Sequence, residues 1–179
     1  MHRILASVTT LEQHLIAVAA SDTDIYRPLA CPYCRVSGLW RHGCYHRKAD
    51  RQGQASESLN PVPIPRYLCP TCERTCSRLP LCIAPRRWYD WAVQQVVLAL
   101  LLLGCSLHHC WRCTCRARST VRRWRDWLQV RSQYFCFFLR SRFPELGRHD
   151  ERDAFWRHVI ESMSLASAMA WLDRELIVP

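Results

Sequence analysis

No stretch of this chain reaches the ~20 consecutive apolar residues that a bilayer-spanning helix needs. The most apolar run, 96–105, is flanked by Gln94 and Gln95 on one side and by His108 and His109 on the other. It reads as a buried helix rather than an anchor. An export signal is missing as well. The N-terminal stretch ends in the small-residue run Ala17-Val18-Ala19-Ala20, but Glu12, Gln13 and His14 interrupt what would have to be its apolar core. Without export, the secreted disulfide scaffold that 12 cysteines would otherwise suggest is excluded. The expected compartment is cytoplasmic and reducing, where paired cysteines signal metal or redox chemistry. Internal repeats and low-complexity tracts are absent. Lysine is nearly so: Lys48 is the one lysine among 25 basic residues. The basic character is therefore arginine's, and that skew by itself names no function.

The chain is 49% hydrophobic and 22% charged over 179 residues, which excludes global disorder and suits one domain with an appendage or two small units. A formal net charge of +10 favours polyanionic partners, nucleic acid or an anionic membrane. Four segments follow from periodicity and punctuation. Residues 1–23 read as an amphipathic helix with Leu5, Val8, Leu11, Leu15 and Val18 on one face. Residues 24–87 are rich in Pro and Cys, with short strands expected at 39–48 and 62–69 and a polar loop at 49–60. Residues 88–131 turn strongly helical. Residues 132–179 continue with helices at 132–143 and 151–176, separated by Pro144 and Gly147.

Two Cys-Pro-x-Cys knuckles stand in the second segment: Cys31-Pro32-Tyr33-Cys34 and Cys69-Pro70-Thr71-Cys72. Each such turn presents two sulfurs to one side of an ion, and two turns complete a tetrahedron of thiolates suited to Zn2+. Proline after the first cysteine stiffens the turn and removes a backbone donor. A thioredoxin-like redox site would need one Cys-x-x-Cys beside a β-α-β pattern, which neither knuckle has. Four thiolates leave no open position, so the expected zinc is structural and not catalytic. Cys76 is expected in the following strand, and Cys44, Cys82 and Cys136 as buried core thiols. Cys105, Cys110, Cys113 and Cys115, with His108 and His109, form a second group of potential ligands. Their irregular spacing favours packing thiols over a metal site.

Within the helical segment, Gly104 ends an apolar helix and Ser106 can cap a second. Cys115-Arg116-Ala117 makes a turn. A third helix begins at Arg118 or Ser119, with Ser119 as its N-cap. Val121, Trp124 and Leu128 share its buried face, which leaves Thr120, Arg122, Arg123, Arg125 and Arg131 largely off that face. Two helices joined by a tight turn, with basic residues on the second, describe a helix-turn-helix. Many such units carry Gly at the turn, where Cys115 stands here. A solvated basic helix in an all-α bundle would give the same local pattern.

With these residues in place, the chain resembles the N-terminal region of bacterial insertion-sequence transposases and the small zinc-ribbon/helix-turn-helix proteins related to them. The resemblance lies in Cys31-Pro32-Tyr33-Cys34, "LWRHGCYHR" (39–47), "IPRYLCPTCERTCSRLP" (64–80), "LLLGCS" (101–106) and "STVRRW" (119–124). It spans roughly 25–131, as a zinc ribbon followed by a helix-turn-helix. It implies that Cys31, Cys34, Cys69 and Cys72 are metal ligands and that Thr120, Arg122 and Arg123 contact DNA. Complete transposases continue into a carboxylate-based, two-metal catalytic domain. Here Asp126, Glu145, Asp150, Glu151, Asp153, Glu161, Asp173 and Glu175 are too compressed for one.

The expected architecture is therefore α+β. A small zinc ribbon (24–87) lies between an N-terminal helix (1–23) and an all-helical half, made of a helix-turn-helix (88–131) and C-terminal helices (132–179). The expected function is zinc-dependent DNA binding associated with a mobile element, without enzymatic activity. The candidate DNA-contacting residues are Arg118, Ser119, Thr120, Arg122, Arg123 and Arg125. DNA is the expected partner, a homodimer or a transposition-related protein a further one, and a membrane is not. The alternatives are a protein-interaction module or a non-functional transposase fragment. In the interaction reading, Trp88, Tyr89, Trp91, Trp111, Trp124, Trp127, Trp156 and Trp171 would be anchors, although core packing accounts for most of them.

Overall fold

The computed structural model describes residues 2–20, 23–50, 58–85 and 89–175. It is α+β and divides into two compact units, one reaching to Asp90 and one spanning Trp91–Glu175. Each has its own core.

The first unit is built on a four-stranded sheet. Its strands are β1 (His2–Leu5), β2 (Trp40–Arg47), β3 (Val62–Leu68) and β4 (Thr75–Pro80), in spatial order β1-β4-β3-β2. β2–β3 and β3–β4 are antiparallel, and β1 runs parallel to β4 with Ile4 opposite Leu79. The strands expected at 39–48 and 62–69 are present, and Cys76 lies in β4 as expected. The loop expected at 49–60 falls partly on 51–57, outside the described residues. Its two sides meet where the Asn60 amide donates to Asp50 O (2.5 Å) and the Leu59 N–H donates to the Asp50 carboxylate (2.9 Å).

A single helix over 1–23 is not what forms. Residues His2–Leu5 are strand, and the helix is shorter: α1, Leu11–Ala19. Thr10 is the reason for the late start. Its hydroxyl accepts the Gln13 N–H (3.2 Å) while the Gln13 side chain accepts the Thr10 N–H (3.3 Å), a reciprocal capping box that fixes where the helix begins. The apolar positions were legible even so. Leu5 and Val8 are buried beside half-buried Val18, and Leu11 and Leu15 pack on Val62, Ile64 and Leu79.

His14 fixes α1 to the sheet. Its ring is fully buried, with Nε2 2.7 Å from the Pro63 carbonyl and Nδ1 2.6 Å from the Tyr26 hydroxyl. A carbonyl only accepts, so Nε2 carries the proton and Nδ1 accepts from Tyr26. Burial holds this imidazole below the usual 6.5, against a smaller opposing effect of the Pro63 bond.

The second unit contains α2 (Trp91–Leu102), α3 (Leu107–Thr114), α4 (Arg118–Arg142), α5 (Arg152–Met163) and α6 (Leu165–Glu175), with a 3-10 turn at Pro144–Arg148. Gly104 (φ +84°) ends α2, and the Cys105 N–H returns to Leu100 O at 3.0 Å. The helix expected to stop near 131 instead runs unbroken to Arg142. No Pro or Gly interrupts it, and one buried stripe continues through Val121, Trp124, Leu128, Ser132, Phe135, Cys136 and Leu139. Conversely, the helix expected over 151–176 breaks at Ser164 (φ 66°), whose hydroxyl accepts the Ser167 N–H at 3.2 Å and so starts α6. The Leu165 N–H is taken by the Gln95 side chain at 2.6 Å.

Most of the tryptophans in this unit are core. Trp91, Trp127, Phe135, Trp156 and Phe155 form a chain of rings with successive centroids 5.7–6.5 Å apart. The Trp156 indole N–H is satisfied by Ser132 Oγ (2.9 Å), which in turn donates to Leu128 O (2.6 Å). Trp88 lies outside the described residues.

The His14 geometry has a signed pH consequence. The folded state prefers the neutral ring, so this contribution is whole above about pH 6.5 and is lost progressively as acid is added below it. The loss is at most about 1.4 kcal/mol for each pH step of one. Chemical denaturation of the full chain at about pH 7.5 and 5.5 should show stability falling with acid, and falling less in His14→Gln. Equal pH dependence in both proteins would refute the assignment.

Candidate metal centre and basic helical face

The two knuckles adopt the same local fold. In the first, Cys31 O accepts the Arg35 N–H (2.9 Å) and the Cys31 N–H donates to Val36 O (2.8 Å). In the second, Cys69 O accepts the Glu73 N–H (2.9 Å) and the Cys69 N–H donates to Arg74 O (3.0 Å). Arg35 (φ 66°) and Glu73 (φ 55°) take the left-handed backbone that closes each turn. The turns also touch, since the Arg74 guanidinium lies over the Tyr33 ring at 5.1 Å.

This duplication brings Cys31, Cys34, Cys69 and Cys72 together, with all four sulfurs within 4.8 Å of one another. Cys31 Sγ lies 3.7 Å from Cys72 Sγ, and Cys34 Sγ lies 3.5 Å from Cys69 Sγ. These separations exceed the ~2.05 Å of a disulfide. They are near the ~3.8 Å edge of a tetrahedron with ~2.3 Å metal–sulfur bonds. All twelve cysteines are free thiols. The four together could hold a metal ion.

Their proton affinities are split in opposite directions. Cys69 Sγ accepts the Cys72 N–H, and with the Thr71 N–H this outweighs burial and holds the thiol down at about 6. At Cys34 the Val36 N–H pulls downward, but burial and the hydrogen-bonded sulfurs of Cys69, Cys31 and Cys72 push the thiol up to about 12. Four thiolates this close do not form together without a cation between them. Cys76, also buried in this unit, is different in kind. Burial pushes its thiol up to about 11, so it stays protonated, as a core residue would.

Among the described residues the knuckles are the one group that gathers three or more potential ligands. The second group does not converge, although Cys113 Sγ lies 3.4 Å from His109 Nε2 across one helical turn. Cys44 is exposed on β2 and not the core thiol expected; it sits just past a bulge opened by Gly43 (φ 69°). Cys136 is buried and Cys82 half-buried.

The helix-turn-helix segment lies in the second unit as α3, a three-residue turn and α4. Ser106 caps α3 by accepting the His109 N–H at 3.1 Å. Cys115 (φ 53°) provides the left-handed residue at the turn, where glycine is commonest. Ser119 is not the cap of α4. The helix starts one residue earlier, with Ala117 at the cap position and no side-chain bond there. Arg118, Ser119, Arg122, Arg123 and Arg125 are exposed and Thr120 is half-buried. Arg125 is engaged by Asp126 at 2.9 Å. No carboxylate among the described residues pairs with Arg118, Arg122 or Arg123.

A further signal, countable in the sequence, lies beyond the six candidates. Residues 107–142 contain nine arginines and a single acid, Asp126. That is a net +8 out of +10 for the whole chain. Arg112, Arg116 and Arg131 belong to this concentration. No known family, curated protein or solved structure matches this chain.

Two outcomes follow from the geometry. Purified protein should carry one metal equivalent by elemental analysis, and Cys31→Ser/Cys69→Ser should lose it; retention of a full equivalent would exclude this ligand set. Cys115→Gly should relieve the left-handed strain and raise stability by about 1 kcal/mol in thermal melts, whereas a lower midpoint would mean the cysteine side chain contributes more than its backbone costs.

Proposed function

We propose that the chain is a zinc-dependent DNA-binding protein of the mobile-element kind, without a catalytic domain. The observation that carries this reading is the concentration of charge on α3, the turn and α4. Arg118, Arg122 and Arg123 stand off the packed stripe of Val121, Trp124 and Leu128. They also stand at the wrong end of their helix. The N-terminus of a helix is its positive pole, and three arginines there with no acid in the first turn oppose it. A phosphate placed at that pole would be attracted by dipole and guanidinium together. Arg122 and Thr120 are then positioned as groove contacts, and Arg118 and Arg123 as phosphate contacts.

The metal in this reading is Zn2+. Four thiolates with tetrahedral spacing suit it, and they fill its coordination. Its role is to hold the ribbon folded. The mobile-element association is supported by the resemblance of the ribbon and of "STVRRW" to transposase N-terminal regions. The interaction-module reading draws less support, because Trp91, Trp124 and Trp156 are spent in the core.

The test is selection from a random duplex library with zinc-loaded protein at moderate and high salt. An enriched motif is expected. Arg118→Ala/Arg122→Ala should weaken binding and lower the slope of log affinity against log salt by about 2, near 0.9 per lost phosphate contact. Unchanged affinity in this variant would show that α4 is not the DNA-contacting helix.

A further inference from the structure

The outer side of α4 carries an apolar line that nothing in the second unit covers. Val130, Tyr134 and Phe137 are 73%, 61% and 68% exposed, at helical spacings of four and three, opposite the buried stripe. Single exposed apolar residues are ordinary, but three in register expose on the order of 400 Å², a size at which surface patches mark contacts.

We propose that two copies of the chain pair through this line, α4 against α4, antiparallel about a two-fold axis at Tyr134. The argument from spacing rests on the DNA-binding reading given above; the arguments from charge and exposure do not.

Charge selects the direction. In an antiparallel pair, residues equally far from Tyr134 face each other. Asp126 of one copy then meets Arg142 of the other, twice, and Arg131 meets the Phe137 ring, while Val130 meets Phe138. A parallel pair would set Asp126 against Asp126 and Arg131 against Arg131, which repel. Asp126 and Arg142 are both exposed, and Asp126 is the one acid of α4.

Spacing then agrees with the other end of the helix. Arg122 is twelve positions from Tyr134, about 18 Å at ~1.5 Å per residue. Two copies related at Tyr134 place their Arg122 residues about 36 Å apart, against the ~34–36 Å between half-sites one helical turn apart on DNA. Rotation agrees too. At ~100° per residue, Arg122 and Arg118 lie roughly 80° and 120° round from Val130, on the same flank of the helix. The two-fold axis carries the corresponding flank of the second copy to the same side of the pair, so one duplex can meet both. Arg123 continues the apolar line past the end of the partner's α4.

The contact is smaller than the ~800 Å² per partner of a standard interface, so the free dimer should be weak, in the micromolar range. Sedimentation equilibrium of the metal-loaded full chain, without DNA, tests it. Wild type should dimerise, and Phe137→Glu and Val130→Glu should each weaken the dimer at least ~10-fold with unchanged thermal melting. Arg142→Asp should weaken it, and Asp126→Arg/Arg142→Asp should restore it. A wild-type monomer up to about 100 μM, or a dimer indifferent to Phe137→Glu and Val130→Glu, overturns the proposal. A dimer lost in those variants but not restored by the charge exchange overturns the antiparallel pairing. These outcomes are separable from the DNA reading. A monomer that still loses DNA affinity in Arg118→Ala/Arg122→Ala leaves that reading standing, and a dimer that binds no DNA removes it alone.

Discussion

Four sulfurs gathered inside an apolar cluster are the constraint on which the first unit depends. Cys31 and Cys69 are fully buried, in one cluster with Tyr26, Leu39 and Tyr67. Their knuckle partners, Cys34 and Cys72, complete the group from its solvent side. Thiols so placed compete for protons, and a divalent ion resolves that competition by replacing them. The binding free energy of such an ion is folding free energy, which matters for a unit this small. The strand pairs lead into the knuckles: β2 follows the first, while β3 ends at the second and β4 follows it. Thus the sheet's register and the ligand geometry are set by the same backbone turns.

The second unit solves a different problem. Its α4 must pack along one side for its whole length while leaving arginines free at one end. Buried positions recurring at three and four residues achieve the first, from Val121 to Leu139. The aromatic chain from Trp91 to Phe155 fills the space against which that stripe lies. The basic N-terminal turns gain nothing from this core. They oppose the helix dipole and have no acidic partners, and this is why their charge reads as directed outward.

Much of this was legible in the sequence where residue chemistry is local. The knuckles announced their four ligands because Cys-Pro-x-Cys leaves few alternatives. Gly104 and Ser106 marked a helix end and a helix start because one supplies left-handed backbone and the other a capping oxygen. What misled was helix extent. Leu5 and Val8 matched a helical period, but pairing with β4 decided that Leu5 is strand, and pairing is non-local. The continuation of α4 past residue 131 was set by burial of Ser132 and Phe135, which no local signal encodes. The break at Ser164 depends on a serine hydroxyl and on Gln95, seventy residues away. Cys44 illustrates the same limit: a cysteine among strand residues looks like core until a bulge turns it outward.

That bulge has a consequence for the sheet as a whole. β2 pairs only with β3 among the described residues, so its other edge presents unpaired backbone groups. A flat, apolar edge of this kind would recruit further strands and seed aggregates. Here Gly43 interrupts the register between Arg41 and Cys44, and the rim is lined by exposed Arg41, His42 and His46. Bent and positively charged, the edge is a poor template for another strand, and the same residues that leave it looking unfinished keep the sheet at four strands.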